Sequence, residues 1–169
     1  DIDQGLEWYS SDKHCAVVVM LQRSLYIIGC IVGVMALTGC KNNVVSPIPS
    51  APVSLEFNIL RDAPTLNAIG GVATFVTPKY VYQYLGYGGV VVFHDFEDRF
   101  VAFDLACPNE IDPNVRVNVD SIPGEAICPQ CGAVFDIGYG YGYPMSGDCR
   151  YPMKQYNVFV ANYDVRVYN

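Results

Sequence analysis

Charge is scarce in this sequence. Asp, Glu, Lys and Arg make up 16% of its 169 residues, and seventeen acidic residues outnumber ten basic ones for a formal net charge of −7. A nucleic-acid backbone is gripped by a basic face, so a nucleic-acid partner is excluded. Histidine is scarcer still: the chain has two, and beyond residue 20 only His94 remains. A metal centre that needs two imidazoles therefore cannot be built from the body of this one chain. Also absent are a long run of helical period, an internal repeat, a Ser-His-Asp set, a phosphate-cradling glycine loop and a carboxylate pair at catalytic spacing. Nothing in the sequence marks the chain as an enzyme by itself.

What the chain does have favours strands and turns. Fifteen Gly, eleven Pro and thirteen Tyr, with 51% of residues apolar, point to an all-β domain with a real core and many turns. Val53–Phe57, Val72–Val76 and Val81–Tyr84 read as strands bounded by Gly and Pro. Val90–His94 and Arg99–Phe103 flank a polar hairpin turn, Asp95-Phe96-Glu97-Asp98, whose acids read as solvated. Val115, Val117 and Val119 alternate with polar residues as a half-buried strand. Asn157–Ala161 and Asp164–Val167 close the chain as a hairpin about Asn162-Tyr163. His94 reads as a strand-end residue, and Tyr139, Tyr141 and Tyr143 as a contact surface or a cover for neighbouring loops.

The first forty residues read as outside the fold. From Met20 a basic Arg23 precedes thirteen apolar or small residues, Leu25 to Leu37. That run suits a signal-peptide core over residues 20–39 and falls short of the roughly 20 residues that span a bilayer. It ends in Leu37-Thr38-Gly39-Cys40, which resembles a bacterial lipobox. The resemblance implies cleavage before Cys40, lipidation of that cysteine, and a place in the bacterial cell envelope, at the outer membrane. Residues 1–19 lie upstream of this start, so His14, Cys15 and Cys30 are given no role. Residues 40–52 form the lipidated Cys and a Pro-rich tether, and residues 53–169 the domain.

The chemistry is concentrated between Ala102 and Asp136. Cys107-Pro-Asn109 is followed, 18 residues later, by Cys128-Pro-Gln-Cys131-Gly132. Two short boxes of soft ligands separated by strand-like sequence are how a small β domain presents a metal centre between two loops. Pro fixes φ beside each leading cysteine, and Gly132 allows a tight turn behind Cys131.

This order and spacing resemble the Rieske iron–sulfur domain, whose boxes read Cys-x-His and Cys-x-x-His-Gly followed by an aromatic-Asp pair. The chain keeps Cys107, Cys128, Pro129, Gly132 and Phe135-Asp136, but has Asn109 and Cys131 where the family has histidine. Further on, Ser146-Gly147-Asp148-Cys149, Pro152-Met153 and Tyr156 resemble the Ser-Gly-Pro-Ala, Pro-Leu and Tyr of Rieske-type ferredoxins, with Cys149 in place of Ala. The resemblance spans about Tyr82 to Asn169. It implies a Rieske-like β-sandwich with a two-loop metal-binding subdomain over about 104–137, and it brings Cys149 near the boxes.

Three readings of the cysteines stay open. Cys107, Cys128 and Cys131, with Cys149, Asn109, Glu110 or water completing the set, hold a low-potential [2Fe–2S] cluster or a closed zinc site. Alternatively the thiols pair as disulfides outside the cytosol, or the site has lost its cofactor. The first reading implies a membrane-anchored electron carrier with a redox protein partner. The others imply a structural or binding lipoprotein that keeps only the fold.

Overall fold

The computed structural model describes residues 44–169. The expected leader, the lipidated Cys40 and the upstream residues 1–19 lie outside the described residues. Among the described residues, no helix is long and apolar enough to cross a membrane.

Ten strands and two four-residue helical turns make up the domain, all-β as the composition predicts. They run β1 Val53–Asn58, a helix α1 Ile59–Asp62, a 3-10 turn Pro64–Asn67, β2 Val72–Phe75, β3 Tyr84–Leu85, β4 Val90–His94 and β5 Phe100–Asp104. Then follow β6 Glu125–Ile127, β7 Val134–Asp136, β8 Pro144–Ser146, β9 Gln155–Ala161 and β10 Asp164–Tyr168. Seven strands form one antiparallel sheet in the order β2-β4-β5-β9-β10-β1-β3, and β6-β7-β8 form a second.

β4 and β5 are the middle layer. Period-two alternation sends successive side chains to opposite faces, and here both faces are covered. Val90, Val92 and Ala102 pack with Leu55, Phe57, Val165 and Val167 in one core. Val91, Phe93, Val101 and Phe103 pack with Val117, Val119, Ala126, Phe135 and Cys128 in a second core. Burial on both sides explains why Val90-Val91-Val92-Phe93 is a continuous apolar run. The second core is the floor on which the cysteine loops rest.

The hairpin between β4 and β5 forms as predicted, with His94 opposite Phe100. Its turn is not simply solvated. Asp95 is fully buried, and its carboxylate accepts from the backbone N–H groups of Glu97 and Arg99 and from Arg99 Nε. His94 sits at the strand end, stacked on Phe100 and hydrogen-bonded to Leu66 O and Asp98 Oδ1.

Two expected strands differ. Val81–Tyr84 is mostly turn, with Val81 fully exposed. The Gln83 side chain accepts from the N–H groups of Lys79 and Tyr80, and these local bonds override the β propensity of Val and Tyr. Val115–Val119 keeps its predicted alternation, with Val117 and Val119 buried, but it makes only isolated bridges. Its partner changes midway. Val115 and Val117 bond Cys107 and Leu105, whereas Asn118 bonds Ile127 of β6. The segment thereby stitches the first box to the small sheet. The far end of the tether also lies on the domain, where Ile48 is buried and Lys154 Nζ donates to Pro49 O.

Candidate metal centre

Both boxes begin where a strand ends. β5 finishes at Asp104, whose buried carboxylate accepts from the N–H groups of Tyr87, Gly88 and Ala106 and from the Tyr156 hydroxyl. This clamp fixes the chain three residues before Cys107. The second box joins β6 to β7, which pair in register as Ile127 opposite Val134, so it is the connection of a short hairpin.

Each box closes as a turn over its own cysteine. Cys107 O accepts from the N–H groups of Glu110 and Ile111, and Cys128 O accepts from Gly132 N. Gly132 has φ +71° with open space where a Cβ would stand. Ile111 takes the matching conformation at φ +53°, a region a β-branched side chain rarely occupies.

The turns bring Cys107, Cys128 and Cys131 together. Their sulfur atoms all lie within 4.8 Å of one another, and Cys107 Sγ is 3.7 Å from Cys131 Sγ. Cys107 and Cys128 are buried, Cys131 partly so, and all three thiols are free. Cys149 is also free and buried in the same core. It stands outside the group of three, and its thiol donates to Tyr151 O at 3.5 Å. Asn109 is exposed. Glu110 is half-buried and accepts from Gln130 Nε2 at 2.6 Å, a contact that joins the two boxes.

Burial pushes the Cys107 thiol up to about 12, against the opposing pull of the Asn109 and Glu110 N–H groups. Burial also acts on Cys128, but the N–H groups of Cys131 and Gln130 and the adjoining thiols outweigh it, and its pKa falls. Cys149 is raised by burial and by the nearby Cys131 and Cys128. A lowered Cys128 beside a raised Cys107 in a shared apolar setting describes a pair of thiols that a cation would reorganise by displacing protons.

The donor set fits a thiolate-bound metal. The 3.7 Å separation of Cys107 and Cys131 is close to the edge of a tetrahedron, about 3.8 Å, drawn around an ion with Zn–S bonds of about 2.3 Å. Among the described residues His94 is the one histidine, so they offer no pair of imidazoles for the two-His iron of an ordinary Rieske centre. His94 is engaged with Leu66 and Asp98.

No protein-family model matches the chain, and no curated protein does either. Among solved structures, it is similar to the chain in a complex of reduced oxygenase and oxidized ferredoxin in carbazole 1,9a-dioxygenase. That match has 18% identity and a TM-score of 0.45, covering 67% of this chain and 99% of the other. It is similar to the ferredoxin of carbazole 1,9a-dioxygenase from Nocardioides aromaticivorans IC177 at 22% identity, covering 61% and 90% with a TM-score of 0.39. The ferredoxin of Sphingomonas yanoikuyae B1 matches at 18% identity, covering 53% and 80% with a TM-score of 0.38. The chain's own box order and two-sheet architecture resemble a Rieske-type ferredoxin domain.

Proposed function

We propose that this chain is a metal-binding Rieske-like protein whose centre is held by the thiolates of Cys107, Cys128 and Cys131. The convergence of three free cysteine sulfurs within 4.8 Å carries the reading. Iron in this site, alone or as a cluster, would make the chain an electron carrier. A small iron–sulfur domain of this kind would exchange electrons with a redox protein partner. Replacing imidazole by thiolate lowers the potential expected of such a centre.

A second reading, one structural zinc ion, is favoured by the compactness of the three sulfurs. In a two-iron cluster the thiolates are shared between two irons and spread apart, whereas a single tetrahedral ion gathers them. Both readings require the same three thiolates. Both also place the protein in the bacterial envelope, tethered at Cys40, a location supported by Leu37-Thr38-Gly39-Cys40 alone. Cys40→Ala would move the protein from the membrane fraction to the soluble one.

Thiol protection tests the centre. In the full chain purified anaerobically, Cys107, Cys128 and Cys131 should resist alkylation until a chelator is added. Equal alkylation with and without chelator would overturn the proposal.

A further inference from the structure

Three sulfurs leave a tetrahedral ion one donor short. Cys149 is the obvious sulfur to supply it, yet its thiol lies outside the group and bonds to Tyr151 O. The Glu110 carboxylate, held by Gln130, also lies outside the group as the structure stands. The two boxes offer another donor, because they are two copies of one turn.

In the second box the order is Cys128, Pro129, Gln130, Cys131, Gly132; in the first it is Cys107, Pro108, Asn109, Glu110, Ile111. Each leading cysteine carbonyl accepts from the residue four places on, and that residue has a left-handed backbone in both, Gly132 at φ +71° and Ile111 at φ +53°. In both, the N–H groups two and three places on face the leading sulfur. A β-branched residue is strained in the left-handed region, where its Cβ crowds the backbone. The first turn therefore keeps its shape against the preference of its own sequence. Cys131, third after Cys128, delivers its sulfur to the centre by that shape. The residue third after Cys107 is Glu110.

From this correspondence we infer that Glu110 is the fourth ligand, completing a Cys107–Glu110–Cys128–Cys131 site for a single divalent metal ion. The inference rests on the metal-binding reading above. Glu110 is half-buried beside the sulfurs' loops, and Gln130 Nε2 holds one carboxylate oxygen at 2.6 Å. That bond engages one carboxylate oxygen only, and ligation requires the carboxylate to turn toward the sulfurs by rotation about its own side-chain bonds. Ligating carboxylates characteristically keep such an outer hydrogen bond, which orients them. Binding a divalent cation releases the thiol protons. Three thiolates and one carboxylate then leave the site at −2, a closed set suited to zinc or to a mononuclear iron.

Cobalt(II) titration of the anaerobic full chain, read by its visible and thiolate charge-transfer absorption, tests this. The wild type should bind one cobalt in a tetrahedral site with three sulfurs. Glu110→Gln should weaken binding at least about tenfold while leaving the three-sulfur absorption in place at saturation. Glu110→Cys should restore tight binding and raise the charge-transfer intensity by about one third, as three thiolates become four. Cys149→Ser should change neither affinity nor spectrum. A Glu110→Gln chain that binds as tightly as the wild type, or a Cys149→Ser chain that loses absorption, would overturn the Glu110 assignment and leave the three-thiolate centre standing. A wild type that binds no cobalt would remove the centre itself.

Discussion

Tyr156 donates its phenolic hydrogen to Asp104 Oδ2 at 2.6 Å, across 52 residues of sequence and in a fully buried setting. The same carboxylate gathers three backbone N–H groups, so one strand of the main sheet and the approach to Cys107 are tied to a single side chain. Burial first, then the neighbouring Asp104 carboxylate, pushes the Tyr156 hydroxyl far above its ordinary range. It remains a donor at any pH the fold survives.

Tyr156→Phe should therefore destabilise the domain by about 1–2 kcal/mol, the cost of one buried hydrogen bond to a charged acceptor. Asp104→Ala should cost more, about 3 kcal/mol or above, because it strands three N–H groups, two of them in buried bonds. Urea unfolding of the three proteins checks the order. Equal stability of Asp104→Ala and the wild type would show that the clamp is not needed.

The proximity of Cys107 and Cys131 predicts which disulfide forms when the centre is stripped. Treated with chelator and then diamide, the chain should lose two hydrogens and give a Cys107–Cys131 linked peptide, since these sulfurs already lie 3.7 Å apart. With metal left in place the linkage should be strongly slowed. A dominant bridge to Cys149 would contradict this geometry.

Ile111 offers a gain. At φ +53° and more than two-fifths exposed, it has little burial to lose and backbone strain to shed. Ile111→Gly should raise stability by up to about 1 kcal/mol, relief of the left-handed strain being partly offset by glycine's greater chain entropy. A loss of stability would mean that the Ile111 side chain supports the fold in a way its exposure does not indicate.

Acid should weaken the corner after β1. The Asp62 carboxyl is held well below the usual carboxylate range by Arg61, by the Asn58 N–H and by Lys79. Because its folded pKa lies under its unfolded value of about 3.9, its contribution is full above that pH and fades as pH falls toward the folded value. Asp62→Asn should cost about 1 kcal/mol at neutral pH, a modest figure because Arg61 and Lys79 are exposed. The difference should shrink steadily as pH falls below about 4, if the protein still unfolds cooperatively there. A constant difference across that range would assign the effect to shape, not charge.

Much of this was legible beforehand, for identifiable reasons. The β4–β5 hairpin shows in sequence because an apolar run and a polar turn are local signals, and the closing hairpin shows because Asn162 tolerates the left-handed turn it occupies at φ +56°. The two cysteine boxes show because their residue types are rare and tightly spaced. Asp95 misled, since an acid in a turn looks solvated until its backbone partners fold over it. Val81 misled because the backbone hydrogen bonds that the Gln83 side chain accepts do not appear in a propensity reading. Glu110 was legible only as one of several groups that could complete the set, with Cys149, Asn109 and water, because only the backbone shows that the first turn copies the second. The repeated Cys-Pro-x-x pattern was the available signal.

Metal content of the full chain, expressed with zinc and iron supplied and purified anaerobically, is the most direct test. The account predicts about one metal ion per chain, or about two irons if a cluster forms, falling to background in Cys128→Ser. A folded wild-type chain that carries no metal under these conditions would contradict it.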